Sequence, residues 1–187
     1  MNTIPDTVES ALEASRKGGF DKSCTPPVGR LLRLLAAAAG PGTVAELGTG
    51  CGVGSAWLLS DLREGRRFVS VDTNPAHHRV VTGLFGDAPN VHFLCGDWRE
   101  ALPYGPFSLV FVDVGEAKDA GAAAVVEALA VGGMAVLDDF TPEVHWPPEW
   151  RGKPDKRREF WLRHPQLRAT EILTTPETAA ILAVRVR

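Results

Sequence analysis

From residue 43 onward, short apolar runs alternate with segments whose apolar positions recur at helical spacing, and each run ends in a polar or glycine-rich turn. The runs are 44–47, 68–71, 91–95, 109–114 and 134–137, and the helical segments between them are 52–62, 76–85, 98–102 and 118–130. That alternation predicts an α/β fold, a parallel sheet with helices on both faces. Upstream, Asp6 and Glu9 stand at capping-box spacing before a helix that runs to Lys17 and ends at Gly18-Gly19. A second helix starts after Pro26-Pro27, carries Leu31, Leu32, Leu34 and Leu35, and stops at Gly40-Pro41-Gly42. Beyond Phe140 the chain turns to Pro, Trp and charge over 141–150, too rich in proline for regular structure. A polar helix over 156–163 follows, then strand-like runs 167–173 and 179–186, whose short link predicts an antiparallel hairpin. The expected organisation is one domain over 1–187: a helical cover (1–42), a binding core (43–140) and a substrate-side loop, helix and hairpin (141–187).

Composition narrows the class without changing that picture. The 187 residues are 44% hydrophobic and 23% charged, which suits a globular chain that folds without staples. Cys24, Cys51 and Cys95 are odd in number and show no C-x-x-C spacing, against a disulfide framework or a structural zinc site. With 23 acidic against 20 basic residues, nucleic acid is not an expected partner. No run approaches the ~20 apolar residues that span a bilayer, so no membrane partner and a cytoplasmic location are expected.

The densest signal is Glu46-Leu47-Gly48-Thr49-Gly50-Cys51-Gly52-Val53-Gly54-Ser55, a strand running through a glycine-rich turn into a helix. Glycines there let a ligand press on bare backbone, and the helix start offers free N–H groups. The dinucleotide fingerprint G-x-G-x-x-G fails in both registers, at Val53 and at Ser55, and no lysine follows as a phosphate loop requires. What remains, E-x-G-x-G-x-G, places a carboxylate two residues before the first glycine, a poor neighbour for pyrophosphate but a suitable one for a cationic ligand.

In this form the loop resembles the first motif of the class I methyltransferases that use S-adenosylmethionine. The resemblance implies a Rossmann-like sheet of seven strands in the order 3-2-1-4-5-7-6 with an antiparallel last strand, and puts Glu46, Gly48, Thr49 and Gly50 at the cofactor. Asp72, 22 residues beyond Gly50 at the tip of the second strand and followed by Thr73, is placed to accept from a ribose diol; its alternative role is the cap of the next helix. The segment Leu94-Cys95-Gly96-Asp97-Trp98 is similar to the family's adenine-side motif, with Asp97 as acceptor and Trp98 as a flat surface, against Trp98 as a core residue.

The fourth strand leads to Asp113 and the fifth to Asp138-Asp139, which the family's strand order gathers at one edge with the cofactor. This part is similar to the catechol and caffeoyl-coenzyme A type of O-methyltransferase, as is the upstream Thr25-Pro26-Pro27-Val28-Gly29-Arg30-Leu31-Leu32. The resemblance implies a divalent metal, Mg²⁺ or Ca²⁺, on Asp113, Asp138 and Asp139; the alternative is a solvated strand end and helix cap. Three departures stand out: Asp139 replaces the family's Asn, Glu116 replaces its lysine with Lys118 out of register, and Gly54 replaces its serine with Ser55 one place later.

Methyl transfer mainly needs alignment and a nucleophilic acceptor. With a metal, Asp113 serves both metal and reaction; without one, His145 is the alternative base. Trp146 and Trp150 are candidates for an aromatic acceptor's wall, for loop packing or for a homodimer contact. The basic run Arg151, Lys153, Lys156, Arg157 and Arg158 reads as a solvated helix face. The expected activity is transfer of a methyl group to an oxygen of a small aromatic or polyhydroxylated acceptor. The alternatives are an N- or nucleic-acid methyltransferase, although the [ND]-P-P-[YF] sequence of the amino-group enzymes is missing, and a binding module that keeps the cofactor but not the chemistry.

Overall fold

Seven strands, β1 (Thr43–Leu47), β2 (Phe68–Asp72), β3 (Val91–Cys95), β4 (Phe107–Val112), β5 (Leu129–Phe140), β6 (Leu167–Leu173) and β7 (Ala179–Arg185), form one sheet in the order β3-β2-β1-β4-β5-β7-β6. The computed structural model describes residues 3–86 and 88–187. The first five strands pair in parallel, and β7 runs antiparallel to both β5 and β6. The hairpin and the strand order are those expected.

Alternation along the strands splits the apolar residues between two cores. Val44, Phe68, Leu109, Phe111 and Val136 face one side and pack with Val8 of α1 (Asp6–Lys17), Leu32 of α2 (Pro26–Ala38) and Trp57 of α3 (Val53–Ser60). Ala45, Leu47, Val69, Val71, Val110, Val112 and Leu137 face the other. They pack with Trp98, with Val125 of α6 (Ala122–Ala128) and with Trp161 of α7 (Lys156–Arg163). The central strands β1 and β4 are buried throughout, which is why they read as continuous apolar runs. The remaining helices are α4 (Pro75–Phe85) and the single turn α5 (Gly115–Lys118). No helix among the described residues is long and apolar enough to cross a membrane.

Several local expectations are corrected. Pro5, not Asp6, holds the cap position of α1 and makes no side-chain bond; Asp6 and Glu9 lie in the first turn, where their charge suits the helix dipole. The helix expected over 118–130 is broken into α5 and α6 by the non-helical backbone of Asp119 (φ −109°, ψ −101°), and Gly121 lets the chain pass the Trp98 ring, which a Cβ there would approach to 2.3 Å. β5 begins at Leu129, well before the expected run, and its pairing with β4 shifts register between Phe107 and Leu109. Residues Trp98–Tyr104 form a 3-10 turn rather than an α-helix, and Glu143–His145 add a short one in the proline-rich loop. β4 ends at Val112, so Asp113 sits just past the strand tip, facing the cleft at the carboxyl edge.

Candidate functional site

The glycine loop after β1 is held by main-chain bonds. Gly48, Gly50 and Gly52 take φ of 102°, 52° and 87°, in the region that favours glycine. Gly48 N and Thr49 N donate to Val71 O at 2.9 and 3.2 Å, and Gly50 N donates to Asp72 Oδ2 at 2.8 Å. The Thr49 side chain turns down to the sheet, its Oγ1 2.6 Å from Ser70 Oγ, so Thr49 meets the cleft chiefly through backbone.

Beneath the loop lies Glu46, 1% exposed. Its Oε2 accepts from Ser70 Oγ at 2.6 Å and from Ser55 Oγ. Burial pushes its pKa up to about 8, against the pull of the two serine bonds. Near neutral pH the carboxyl is therefore largely protonated, and it carries the expected negative charge only when a cation stands beside it. The displaced serine also gains its reason. A Cβ at Gly54 would lie 2.2 Å from Glu46 Oε1, so glycine is required at 54 and the serine bonds the carboxyl from 55 instead.

These residues floor a cavity of about 230 Å³ that Glu46, Gly48, Thr49, Gly50, Asp72, Asp113 and Asp139 line, with Phe20 and Cys24 of the α1–α2 connection above it. Asp72 is not the cap of α4: Asn74 is, accepting from Ala76 N at 2.9 Å. Asp72 accepts from Gly50 N and, on its other oxygen, from Asn74 N at 2.8 Å, has His77 Nδ1 3.2 Å from Oδ2, and lines the cavity.

The adenine-side expectations fare differently. Thr73 is exposed and does not line the cavity, nor does Gly96, whose N–H donates to Asp72 O at 3.0 Å. Asp97 forms a capping box with Glu100, accepting from Arg99 N at 2.9 Å, and its pKa is lowered by that backbone bond first. Trp98 is 4% exposed in the core below Gly121, with the Arg99 guanidinium 4.5 Å from its ring centroid. The platform expected of Trp98 is therefore a core side chain.

At the tips of β4 and β5 the predicted acids meet a lysine. Lys118, 3% exposed at the end of α5, sends its Nζ to within 2.8 Å of Asp138 O, 3.5 Å of Asp113 Oδ1 and 3.7 Å of Asp139 Oδ2. Burial pushes the Asp113 pKa up to about 7, Lys118 pulls it down, and Asp139 raises it through charge and a hydrogen bond. The Asp138 carboxyl, also raised by burial, accepts from the backbone N–H of Asp139. Asp139 takes φ 63° where the β5–β7 register shifts, a conformation a short polar side chain tolerates, and its carboxylate swings out over the edge.

The residues do not fit the expected metal. Among the described residues no group of three His, Cys, Asp or Glu side chains is arranged to hold one. An ammonium stands among the acids instead, and at an effective dielectric near 20 each unit of like charge ~4 Å away costs about 4 kcal/mol. Sequence reasoning passed over Lys118 because its spacing from Asp113 differs from the family's; only the one-turn α5 shows that this spacing still reaches the cluster.

A second cavity, about 530 Å³, opens beyond Asp139, lined by Phe140, Thr141, Trp146, Trp150, Lys153, Lys156, Arg157 and Arg158 among others. Trp146 is 7% exposed and donates its Nε1 to Thr141 O at 2.9 Å, whereas Trp150 is 51% exposed, its ring edge-on at 6.5 Å. The basic run is more than a solvated face. Arg157 Nε donates to Asp119 Oδ1 at 2.6 Å, and Arg158 bonds Asp155, Glu171 and Thr141 O while lying over Phe140 and Trp146. His145, the alternative base, is exposed, lines neither cavity, and has its Nε2 2.9 Å from Pro176 O. It ties the loop to the β6–β7 hairpin, away from both cavities.

A seven-stranded sheet with a reversed last strand, glycine loop and carboxyl-edge cleft define a methyltransferase-type fold. Residues 45–140 match the family model described as a methyltransferase domain, and the chain belongs to that family. It is 33% identical, in an alignment of 149 positions that covers 68% of this chain, to a Mycolicibacterium vanbaalenii protein named "Putative O-methyltransferase". That alignment spans 66% of the relative, and those with several Mycobacterium tuberculosis and Mycobacterium bovis relatives span 43%. Among solved structures, the Bacillus cereus O-methyltransferase in complex with SAH superposes with a TM-score of 0.81 at 19% identity, over 99% of this chain and 93% of that one. The O-methyltransferase TomG of Streptomyces achromogenes, in complex with SAM, gives 0.80 at 20% identity, over 99% and 92%.

Proposed function

We propose that the chain transfers a methyl group from S-adenosylmethionine to an oxygen of a small aromatic or polyhydroxylated acceptor. The observation that carries this reading is that the Asp139 carboxylate borders both cavities, the glycine-loop cleft and the aromatic one. A donor in the first and an acceptor in the second would meet there. The fold's likeness to O-methyltransferases holding SAH and SAM, and the naming of the relatives, support the same reaction.

Glu46 and the glycine-loop backbone line the cleft that would hold the donor's amino-acid part, and Asp72 would accept from its ribose. Glu46 would release its proton to solvent as a cationic donor settles nearby, and so balance the donor's charge. The acceptor ring rests against Trp150 and Phe140, with the exposed Lys153 and Lys156 at the rim suited to an acidic substituent. When bound, the donor would supply an electrophilic methyl group on a sulfonium sulfur: the acceptor oxygen would form the new O–CH₃ bond while the S–CH₃ electron pair goes to sulfur, leaving a neutral thioether. The acceptor's proton passes to the Asp139 carboxylate, whose hydrogen-bonded neighbour Asp113 titrates near neutral pH.

Incubating the purified chain with methyl-labelled S-adenosylmethionine and a panel of phenols, catechols and polyols, read by mass spectrometry, tests this. Label on an acceptor oxygen is expected. Folded protein that labels no acceptor, or labels only amines, overturns it.

A further inference from the structure

We propose that the Lys118 ammonium is the built-in cation of the acid cluster, standing where a divalent metal would otherwise be required. The inference deepens the methyl-transfer reading, since it states how that site meets its need for positive charge, but it is argued from side-chain placement alone. The ammonium donates a hydrogen bond to Asp138 O at 2.8 Å and pairs with Asp113 Oδ1 at 3.5 Å and Asp139 Oδ2 at 3.7 Å. At 3% exposure it has little access to water, so these oxygens are what balances it.

The lysine is fixed on both sides of its own backbone. Its N–H donates to Val114 O at 3.1 Å, and its carbonyl accepts from the Nε1 of the fully buried Trp161 at 2.9 Å. The next residue, Asp119, is gripped by Arg157 of the same helix, α7. The segment past the core thus locks the one-turn α5 that aims Lys118. Meanwhile the third predicted ligand is set apart, because Asp138, 6% exposed, does not line the glycine-loop cleft. A divalent ion at the cluster would meet two carboxylates and an ammonium rather than three carboxylates.

The consequence for the acceptor is indirect: the ammonium lines neither cavity, so it serves the acids rather than the acceptor, and without a metal to chelate, a pair of vicinal hydroxyls is not demanded. Acceptors with a single phenolic hydroxyl then suffice.

Mn²⁺ binding, followed by electron paramagnetic resonance on the full chain, decides the matter without reference to turnover. Wild type and Lys118→Arg should ignore millimolar Mn²⁺, while Lys118→Met should bind it at least about tenfold more tightly than wild type. Adding Asp113→Asn to Lys118→Met should abolish that gain. Wild type that binds Mn²⁺ through Asp113, or a folded Lys118→Met that gains nothing, overturns the assignment. If Lys118→Met does not fold, the wild-type titration with Asp113→Asn as control still decides: Mn²⁺ ignored supports the lysine, Asp113-dependent binding refutes it. Wild type that ignores Mn²⁺ yet methylates nothing removes the methyl-transfer reading and leaves the lysine in place.

Discussion

The two sides of the carboxyl-edge cleft are built by different means. The glycine-loop side is a strand end and the next helix start, held by main-chain bonds from Gly48, Thr49 and Gly50 to β2 and by two serines on Glu46. The far side is assembled from side chains distant in sequence: Lys118, Asp139, Trp146, Arg158 and Trp161 from four different segments. A floor of backbone takes its shape from local chain geometry and suits a ligand shared across a family. A wall of side chains can be rebuilt one residue at a time, which is where a change from metal to ammonium, or from one acceptor to another, is free to occur.

Variants on the two sides should therefore fail differently. The largest effect belongs to the floor. Glu46, raised from 4.5 to about 8, and Asp113, raised to about 7, hold protons in the folded state that the unfolded chain has released. Their contribution to stability is thus complete below pH ~4.5 and lost as pH rises through the folded values. The ligand-free protein should lose stability between about pH 5 and 8, Glu46 accounting for on the order of 4 kcal/mol, and Glu46→Gln should flatten roughly half of that slope in urea melts, Asp113 carrying the rest. Next, Asp139→Asn, which keeps a residue tolerant of positive φ, should cut kcat by about 100-fold or more while leaving S-adenosylhomocysteine affinity unchanged. Asp72→Ala should show the opposite split, weakening cofactor binding by about 1–3 kcal/mol in calorimetry. Trp150→Ala should raise KM for an aromatic acceptor by about three- to tenfold. Smallest of all, His145→Ala should leave turnover unchanged; a lost pH limb would return His145 to the reaction.

The same division governs what could be read from residue order. The hairpin, the glycine loop and the place of Asp72 at a strand tip were legible because each is a local pattern: apolar runs, glycine spacing, an acid after a strand. Strand order is not local and followed only from the family resemblance. Gly54 and Ser55 read as a departure, since the Glu46 oxygen that requires it lies across the loop. Trp98 looked like a platform because an aromatic beside a strand end carries no mark of which way it faces; Gly121, 23 residues later, makes room for it in the core. Arg157 and Arg158 looked solvated for want of their partners, Asp119 and Glu171. Lys118 was set aside on spacing, a one-dimensional measure that a single helical turn overrides.

A crystal structure of the chain with S-adenosylhomocysteine tests the central claim most directly. The sulfur should lie over Gly48 and Gly50 and face the second cavity past Asp139, with the ribose hydroxyls on Asp72. A nucleoside bound elsewhere, or a sulfur turned away from Asp139, would contradict it.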